Sequence, residues 1–426
     1  MNILLKNISV IHKGFDKNQT YDILIEKGII SKIGKIENVS EKFLVYNMSG
    51  KTCFPGFFDM HVHFREPGQE YKEDIDTGSL SAMNGGITGV LMMPNTSPPI
   101  DSPDIIRKLK DRGKNKLLDI EVSACISKGR NGNELSEVEE LLNSGAIALT
   151  DDGSGVINKD VMFEVLEKSA KYNFPVLQHA EDSRLTDGGV INLGRVSKSL
   201  NLKGISCSSE TSVVSSDILL ALNIPGSRYH IQHISCGRTV DLVRKSKNGK
   251  SSITCEVCPH HFVLTDEACL IEGTNAKMNP PLRESESIEQ IWEGLRDGTI
   301  DVLCTDHAPH TEEEKSKGFE SAPFGIIGLE TLVGLSYTYL VETGIITLER
   351  MSEMLTENPR KILGLPQVKI APGEKANLTI LDLDKQWVIN KKLFKSKSKN
   401  TPFNGFKVKC KPYAVINNNQ IYFSEL

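Results

Sequence analysis

Short apolar runs alternate with longer amphipathic segments through the middle of the chain, from about residue 54 to residue 345. The short runs are rich in β-branched residues, which is typical of buried parallel strands. The longer segments place apolar residues every three or four positions, which predicts helices that cover such strands. Eight strand candidates follow one another in this way: FPGFFDMHVH from Phe54, ITGVLMM from Ile87, LLDIEVSAC from Leu117, AIALT from Ala146, PVLQH from Pro175, RYHIQH from Arg228, SITCEV from Ser252 and DVLCT from Asp301.

Helical patterns follow most of these strands. Examples are SPDIIRKLKDRG from Ser102, NKDVMFEVLEKSAKYN from Asn158 and SETSVVSSDILLAL from Ser209. Eight such units favour an α/β fold in which parallel strands close into a (β/α)8 barrel of the TIM type. An open, doubly wound sheet is the alternative that the pattern alone leaves open.

The two ends of the chain show short alternating strands separated by polar turns, namely ILLKNISVI and YDILIEKGIISKIG at the start and PGEKANLTILDLD and YAVINNNQIYF at the end. Because the termini of a domain tend to lie close together, we expect these pieces to form one small β-sandwich. The predicted organisation is residues 1–53 and 366–426 in the sandwich and residues 54–365 in the barrel. The stretch KKLFKSKSKN near the end is predicted to be a solvated loop.

Composition excludes several classes of protein. The chain has 426 residues, 39% of them hydrophobic and 25% charged, which indicates a globular protein larger than one simple domain. Its formal net charge is −5 and its basic residues are scattered, so we expect no binding to nucleic acid or to an anionic membrane surface. No apolar run approaches the roughly 18 residues of a membrane span, and nine dilute cysteines fit a reducing compartment. We therefore expect a soluble, cytoplasmic protein.

The segment DMHVHFREPG, residues 59–68, places His61 and His63 at the end of the first predicted strand. Residues two apart on a strand face the same side, so both imidazoles and Asp59 are expected to point into the barrel. A His-x-His pair in that position can bind one metal ion from two directions. A pair of buried core histidines is the alternative for this motif taken alone.

Other residue types that bind metals fall at the C-terminal ends of four further predicted strands, where barrel enzymes build their sites. Core residues have no reason to be metal-binding types at one end of five strands, so we predict a single metal centre. Histidines and carboxylates without a thiolate suit zinc, as one or two ions, with manganese or cobalt as substitutes. The additional residues are Asp152, His179, His233 and Asp306.

At these residues the chain resembles the dihydroorotases of the amidohydrolase superfamily. DMHVHFREPG and TDHAPHTEEEK are similar to the two signature segments of that family. MMPNT, TDDG, KMNPPLR and ENPRKILGL are similar to further family segments, so the resemblance covers nearly the whole chain. The second signature usually has Gly or Ala before its Thr, where this chain has Cys304, and this departure affects no expected ligand.

The resemblance implies a zinc-dependent enzyme that reversibly hydrolyses (S)-dihydroorotate to N-carbamoyl-L-aspartate in pyrimidine synthesis. It also implies that Asp306 is the general acid and base that moves the proton in this reaction. The metal ligands that it implies are His61, His63, Asp152 and Asp306 for one zinc ion, and Asp152, His179 and His233 for a second.

The resemblance favours Asp152 as the ligand shared by both ions, with Asp151 as the alternative. Dihydropyrimidinases, allantoinases and many dihydroorotases use a carboxylated lysine in this role. Here the nearest following lysine, Lys159, falls within a predicted helix. An aspartate as the shared ligand resembles the bacterial long-chain branch of the dihydroorotases.

Dihydroorotate carries a carboxylate beside its reacting ring, and recognition of that group requires a guanidinium and amide donors. Arg65, two residues after His63, is well placed in the sequence for this role. The resemblance implies that Arg65, Asn95 and Asn279 bind the carboxylate and that His310 contacts the ring. Taken singly, these are better explained as surface and loop residues, but beside the metal cluster they favour substrate binding.

Three other functions stay open at this stage. Another cyclic amidohydrolase, such as a dihydropyrimidinase or an allantoinase, could use the same metal site. A non-catalytic homologue could act as a scaffold for aspartate carbamoyltransferase, although such a protein is expected to lack ligands. A metal storage or sensor protein would bind zinc without turnover, and the adjacent His260 and His261 could contribute to it, although we interpret them as structural. Formation of a homodimer and association with aspartate carbamoyltransferase are also left open.

Overall fold

The computed structural model describes residues 1–37, 39–247 and 252–426, whose strands form two large sheets and one two-stranded pair. In chain order the strands are β1 (Asn2–Val10), β2 (Thr20–Glu26), β3 (Ile29–Gly34), β4 (Leu44–Asn47), β5 (Thr52–Pro55), β6 (Phe57–Val62), β7 (Ile87–Met92), β8 (Asp119–Ala124), β9 (Ala146–Leu149), β10 (Val176–Gln178), β11 (Ile191–Asn192), β12 (Gly204–Ile205), β13 (Tyr229–Ile231), β14 (Ile253–Val257), β15 (Val302–Leu303), β16 (Leu378–Val388), β17 (Lys407–Asn417) and β18 (Gln420–Phe423). One large sheet comes from the middle of the chain and the other from its two ends.

The strands of the middle sheet are parallel and lie next to one another in the order β6, β7, β8, β9, β10, β13, β14 and β15. The ring nearly closes between its first and last strands, where Val62 pairs with His307 in a parallel bridge. The His63 N–H also donates a hydrogen bond to the His307 carbonyl oxygen at 2.9 Å. Each predicted strand segment contains one of these strands. The predicted (β/α)8 barrel is therefore confirmed, and the open doubly wound sheet is wrong.

Helices follow most of the barrel strands, and several of them pack against the outside of the ring. In chain order they are α1 (Ile75–Asn84), α2 (Pro103–Gly113), α3 (Val138–Asn143), α4 (Lys159–Tyr172), α5 (Ser183–Thr186), α6 (Arg195–Ser199), α7 (Cys207–Asn223), α8 (Gly237–Ser246), α9 (Pro259–Val263), α10 (Ala268–Glu272), α11 (Ser285–Arg296), α12 (Glu312–Lys315), α13 (Gly318–Ser321), α14 (Leu332–Ser336), α15 (Leu348–Leu355) and α16 (Glu357–Leu363), with single turns of tighter or wider helix at Lys128–Arg130, Gly273–Ala276, Tyr337–Val341 and Lys391–Leu393. The three predicted helical patterns coincide with α2, α4 and α7.

Local sequence explains where α4 begins and ends. The Asn158 side chain accepts a hydrogen bond from the Asp160 N–H, which caps the first turn. Asn173 stops the helix in a left-handed conformation with φ 56°, which asparagine tolerates better than most residues. Between them, the apolar positions recur with the helical period and are buried against the strands. The residues on this buried face are Val161, Met162, Val165 and Leu166.

The terminal strands build a second sheet in the order β18, β17, β16, β5, β1, β2, β3, with β4 pairing to β1. It contains strands from both ends of the chain, and their apolar side chains share one core, as predicted for the β-sandwich. The sheet is continuous, because β5 joins the C-terminal strand β16 to the N-terminal strand β1. Core residues contributed by the two ends include Ile3, Leu5, Ile23, Leu378, Ile380 and Ile416.

The first predicted strand is in fact two strands, β5 in the terminal sheet and β6 in the barrel. Gly56 separates them, and its N–H donates to the Asn377 carbonyl oxygen at 2.9 Å. A Cβ atom at this position would lie 1.7 Å from Asn377 Oδ1 and 2.3 Å from Thr88 Oγ1. Only glycine allows the chain to pass between the two sheets here.

The prediction of a solvated loop for KKLFKSKSKN, residues 391–400, is wrong. Ser396, Ser398 and Asn400 are buried, because alternate side chains of this segment face the barrel. Ser398 Oγ donates to the Lys72 carbonyl oxygen at 2.8 Å, and Asn400 Oδ1 accepts from the His310 N–H at 3.1 Å. The C-terminal part of the chain therefore supports the mouth of the barrel.

Among the residues that the structure describes, no helix is both long and apolar enough to span a membrane.

A small apolar cluster contains Phe58, Met60, Leu91 and Leu177, which come from strands around the ring and therefore meet in its interior. Leu177 is fully buried, so Leu177→Ala is expected to lower the free energy of unfolding by about 2–5 kcal/mol through lost burial and a cavity. Urea denaturation followed by circular dichroism measures this change.

The matched control is Leu219→Ala on the outer face of α7, where the side chain is 60% exposed and the change should stay within about 0.5 kcal/mol. Equal midpoints for the two variants would contradict the assignment of Leu177 to the barrel interior.

Candidate metal and substrate site

The six residues expected to bind metal lie together at the C-terminal ends of the barrel strands. The Asp152 carboxylate is at their centre, because it lies near all four histidine rings. The distances from its Oδ1 are 3.3 Å to His61 Nε2, 3.3 Å to His233 Nε2 and 3.6 Å to His179 Nδ1, and the distance from its Oδ2 to His63 Nε2 is 3.5 Å.

Asp306 approaches the same cluster from the last strand. Its Oδ1 lies 2.8 Å from His63 Nε2 and 3.5 Å from His61 Nε2. Among the six residues, two groups of donor atoms are compact enough to bind one ion each, His61 with His63 and Asp152, and Asp152 with His179 and His233. Asp152 belongs to both groups. His61 also belongs to a third compact group, with Glu256 and Cys304.

The backbone at several of these strand ends is strained. Arg65, His233 and Asp306 have φ values of 60°, 30° and 49°, in the left-handed region that residues with a side chain rarely adopt. Such conformations are retained where the surrounding structure compensates for their cost, and they cluster at functional sites. Here they turn three polar side chains toward one mouth of the barrel.

The donor set fits a metal ion. His61 donates through Nδ1 to Glu256 Oε1 at 2.6 Å, and its Nε2 faces the carboxylates of Asp152 and Asp306. That fully buried Nε2 has no hydrogen-bond partner within the described part of the chain. A buried polar atom without a partner is costly, and a bound cation would satisfy it. Imidazole and carboxylate donors without a thiolate suit zinc or a similar divalent metal.

The electrostatics of the cluster favour positive charge at the same place. Burial lowers the pKa of His179, but Asp152 and Glu181 outweigh this effect and raise it to about 10. Burial raises the pKa of Asp152, but His61 and the hydrogen bonds from His179 and His233 hold it well below its usual range. Asp152 therefore stays ionised and stabilises whatever cation lies among the rings.

Asp306 behaves in the same way. Burial raises the pKa of its carboxyl group, but the charge of His61 and the hydrogen bond from His63 outweigh burial and lower this pKa below its usual value. The group is therefore ionised. A carboxylate that is buried, ionised and open to the pocket can accept a proton from a nearby water molecule.

Asp151 lies outside the cluster. Its carboxylate accepts hydrogen bonds from the N–H and the hydroxyl of Ser127, and burial raises its pKa. Lys159 is the exposed first residue of α4 and also does not reach the cluster. Asp59, which was expected to point into the barrel beside the histidines, instead accepts hydrogen bonds from the Thr305 N–H at 3.2 Å and from Thr305 Oγ1 at 2.5 Å. It links the first strand to the last.

Sequence reasoning missed Glu256. This fully buried residue of β14 accepts from His61 Nδ1, and its other oxygen lies 3.3 Å from His230 Nε2. A carboxylate behind a metal-binding histidine fixes the ring orientation and raises its basicity. The available signal was a glutamate in the middle of the apolar strand ITCEV, where a charged residue needs a buried partner.

Glu181, two residues after His179, was also missed. Its Oε2 accepts from His179 Nε2 at 2.9 Å and from Asn279 Nδ2 at 2.5 Å. One carboxylate therefore connects the metal-capable cluster to a residue expected to bind substrate. Its place beside His179 in the segment HAED is the only sequence signal for this role.

A cavity of about 380 Å³ opens onto the cluster. All four residues expected to bind substrate line it: Arg65, Asn95, Asn279 and His310. Two further cations, Lys72 and Arg130, line the same cavity, so three positively charged side chains face its contents. Such a cavity suits a small anionic ligand.

The positions of these side chains are set by contacts with one another. Asn95 Oδ1 accepts from His63 Nδ1 at 2.7 Å, which connects it to the cluster. Arg65 Nε donates to the Pro309 carbonyl oxygen at 3.2 Å, and its Nη2 lies 3.1 Å from His310 Nε2. Burial, together with the charges of Arg65 and Lys72, lowers the pKa of His310, so its ring is neutral.

His260 and His261 lie outside this cavity and are buried. His261 Nε2 donates to the Pro280 carbonyl oxygen at 3.0 Å, next to Asn279. With Cys258 they form a separate group of metal-capable donors. Our interpretation of the two histidines as structural stays a prediction.

A barrel of this kind, with histidines and aspartates meeting at the C-terminal ends of its strands, defines a metal-dependent amidohydrolase. Residues 50–238 match a family described as dihydro-orotase-like. The dihydroorotase of Acetivibrio thermocellus is 42% identical over 426 residues, 99% of both chains, and that of Caldicellulosiruptor saccharolyticus is 43% identical over 422 residues, 98% of both chains. The dihydroorotase of Elusimicrobium minutum is 44% identical over 413 residues, 95% of this chain and 94% of that protein. The chain belongs to the dihydroorotase family.

Solved structures share the fold. The L-hydantoinase (dihydropyrimidinase) of Arthrobacter aurescens has a TM-score of 0.88 and 25% identity, over 100% of this chain and 96% of that chain. A D-hydantoinase from a Thermus species has a TM-score of 0.84 and 24% identity, over 99% and 95% of the two chains. Hydantoinases therefore share this architecture at low identity.

Proposed function

We propose that this protein is a dihydroorotase, a cyclic amide hydrolase that interconverts (S)-dihydroorotate and N-carbamoyl-L-aspartate in pyrimidine synthesis. The observation that carries the proposal is the metal-capable cluster at the base of a cationic cavity, in a chain 42–44% identical to proteins named dihydroorotase. A scaffold protein without activity would be expected to lack ligands, and the six residues expected to bind metal lie close together here, which supports an enzyme.

We assign the metal to zinc, as one or two ions. His61, His63, Asp152 and Asp306 would bind the first, and Asp152, His179 and His233 the second, with Asp152 as the shared ligand. The fit of the donor types and the unpartnered Nε2 of His61 support this assignment. When bound, such an ion lowers the pKa of a water molecule and polarises a carbonyl group.

The chain's own residues bind and orient the substrate. Arg65, with the amides of Asn95 and Asn279, would hold the carboxylate of dihydroorotate, and neutral His310 would face the ring. Arg65 is held in place by Pro309 and His310 before any ligand arrives, so little of its freedom is lost on binding. Hydantoin and dihydrouracil lack a carboxylate and would offer Arg65 no anionic group to bind.

Asp306 would move the proton. As the water oxygen forms its bond to the ring carbonyl carbon, the Asp306 carboxylate accepts the proton that water loses. As the ring C–N bond breaks, Asp306 returns this proton to the departing nitrogen, which becomes the carbamoyl NH2 group. The same steps in reverse close the ring.

Metal removal tests the function directly. Purified protein is expected to open dihydroorotate, to lose this activity after dialysis against a chelator, and to regain it when zinc is added back. Activity is followed by ultraviolet absorbance of the ring, and metal content by mass spectrometry. Dihydrouracil, hydantoin and allantoin serve as comparison substrates. Faster turnover of any of these than of dihydroorotate would rule out the assignment.

Asp306→Asn tests the proton-transfer role. The variant keeps one oxygen for His63 but cannot take up a proton, so kcat should fall by about 10²–10⁴ while zinc is still bound. Asp151→Asn is the matched control, because this buried acid next to Asp152 lies outside the cluster, contacts Ser127, and should change kcat far less. Comparable losses in both variants would remove Asp306 from this role.

Glu256→Gln tests the support behind His61. Loss of the carboxylate charge should weaken zinc affinity by roughly 10–100-fold, measured by competition with a chromophoric chelator. Glu330→Gln is the control, because Glu330 is also buried but binds Ser81 and Asn84, away from the cluster. Unchanged zinc affinity in Glu256→Gln would show that His61 needs no such partner.

The homodimer, the association with aspartate carbamoyltransferase and the cytoplasmic location stay predictions from the sequence.

A further inference from the structure

Two cysteines meet at the C-terminal ends of the last two barrel strands. Cys258 follows β14 directly, and Cys304 follows β15 directly. The two strands are parallel, with Val257 paired to Leu303, so the cysteines are the next residues side by side. Their sulfur atoms lie 3.4 Å apart, and both residues are fully buried.

Two histidines join this pair through the local sequence CPHH. Cys258 caps α9, and His260 and His261 are the second and third residues of that helix. The side chains of a cap residue and of the third helical residue lie next to each other. One donor atom from each of Cys258, His260 and His261 accordingly lies within 4.8 Å of the other two.

Both imidazole rings have a buried nitrogen without a hydrogen-bond partner among the described residues, Nε2 of His260 and Nδ1 of His261. The rings are only 2% and 3% exposed. His261 Nε2 donates to the Pro280 carbonyl oxygen at 3.0 Å, so its Nδ1 carries a lone pair. Burial lowers the pKa of His260 to about 4 and that of His261 well below its usual value, so both rings are neutral. A bound cation would satisfy both nitrogens.

Cys304 has a second set of neighbours, because it also forms a compact group with His61 and Glu256. In that group His61 Nδ1 is already bonded to Glu256 Oε1 at 2.6 Å, and its Nε2 faces Asp152. The unpartnered imidazole nitrogens nearest to the two thiols are therefore those of His260 and His261.

We propose that Cys258, Cys304, His260 and His261 form a structural site for one zinc ion, separate from the metal centre at the mouth of the barrel. Two sulfur and two imidazole donors are typical of structural zinc sites, which have four protein ligands. With Zn–S bonds of about 2.3 Å, two sulfur atoms on one tetrahedral ion lie about 3.7 Å apart, close to the observed 3.4 Å.

The charge balance suits a buried position. Burial raises the pKa of both thiols, so an ion displaces their protons when it binds. Two thiolates and two neutral rings then leave the ion without net charge, which lowers the cost of burying it.

The site would connect several parts of the barrel. It joins the ends of β14 and β15 to the start of α9, and the Pro280 contact extends this connection to the segment that carries Asn279. Because all four residues are buried and α9 packs against α11 and α14, the ion would bind as the chain folds. A chelator that empties the open metal centre should leave it in place.

X-ray absorption at the zinc edge tests the site in the unaltered protein as purified. The spectrum should contain sulfur neighbours at about 2.3 Å, which the six residues at the mouth of the barrel cannot provide. After dialysis against a chelator, the zinc that remains should have sulfur and imidazole neighbours. Zinc with only nitrogen and oxygen neighbours, or protein without bound zinc, would overturn the proposal.

Cys258→Ser tests the assignment of the ligands. The zinc content should fall by one ion per chain, and the sulfur signal should be lost. Cys255→Ser is the matched control, because Cys255 is an equally buried thiol whose Sγ lies 3.5 Å from the Thr299 carbonyl oxygen. Within the described part of the chain it belongs to no compact donor group, so this variant should keep its zinc. Equal zinc content in the two variants would exclude Cys258 as a ligand.

Cobalt(II) distinguishes this site from the group of Cys304 with His61. Protein produced with cobalt as the only added transition metal should show a thiolate-to-cobalt charge-transfer band in the near ultraviolet. The band should persist in His61→Ala and disappear in Cys258→Ser. The reverse pattern would place the ion beside His61 and refute the proposed ligand set. Turnover of dihydroorotate enters none of these measurements, so their outcome is independent of the proposed function.

Discussion

The whole site depends on one buried negative charge, the carboxylate of Asp152. A charge inside a protein is tolerated only when partners compensate for the water that it loses. Here the partners are four imidazole rings from three different strands, all within 3.6 Å of its oxygen atoms. The backbone around it is fixed as well, because the Asp152 carbonyl oxygen accepts from Arg130 and its N–H donates to Thr150. The strand ends are therefore drawn toward one point.

A second layer of carboxylates supports these rings. Glu256 accepts from His61 Nδ1, and Glu181 accepts from His179 Nε2. In each ring the other nitrogen is the one that lies near Asp152. Each carboxylate therefore determines which nitrogen of the ring is free for a metal ion. Glu181 also binds Asn279, so the orientation of a ligand-binding amide depends on the same group that orients a histidine. Metal binding and substrate binding share one framework here.

The sequence contained much of this arrangement. Strand periodicity located all eight barrel strands, and residue types at their ends indicated the six residues that meet in the structure. The supporting layer was missed because a glutamate such as Glu256 leaves no spacing pattern, and its partner lies 195 positions away in the chain. The sequence pattern places Gly56 inside one continuous strand. A glycine is needed there because Asn377 lies against it, and these two residues are far apart in the chain. Polar composition misled the prediction for residues 391–400, where alternate side chains find buried partners on the barrel.

The position of residues 391–400 near the end of the chain affects the order in which the parts of the pocket are synthesised. The final barrel strand ends at Leu303, but the backbone of His310 is held by Asn400, near the end of the chain. During synthesis, the ring of strands is complete long before the residue that secures the pocket wall has left the ribosome. The wall of the pocket can therefore be completed only after the C-terminal segment has been synthesised.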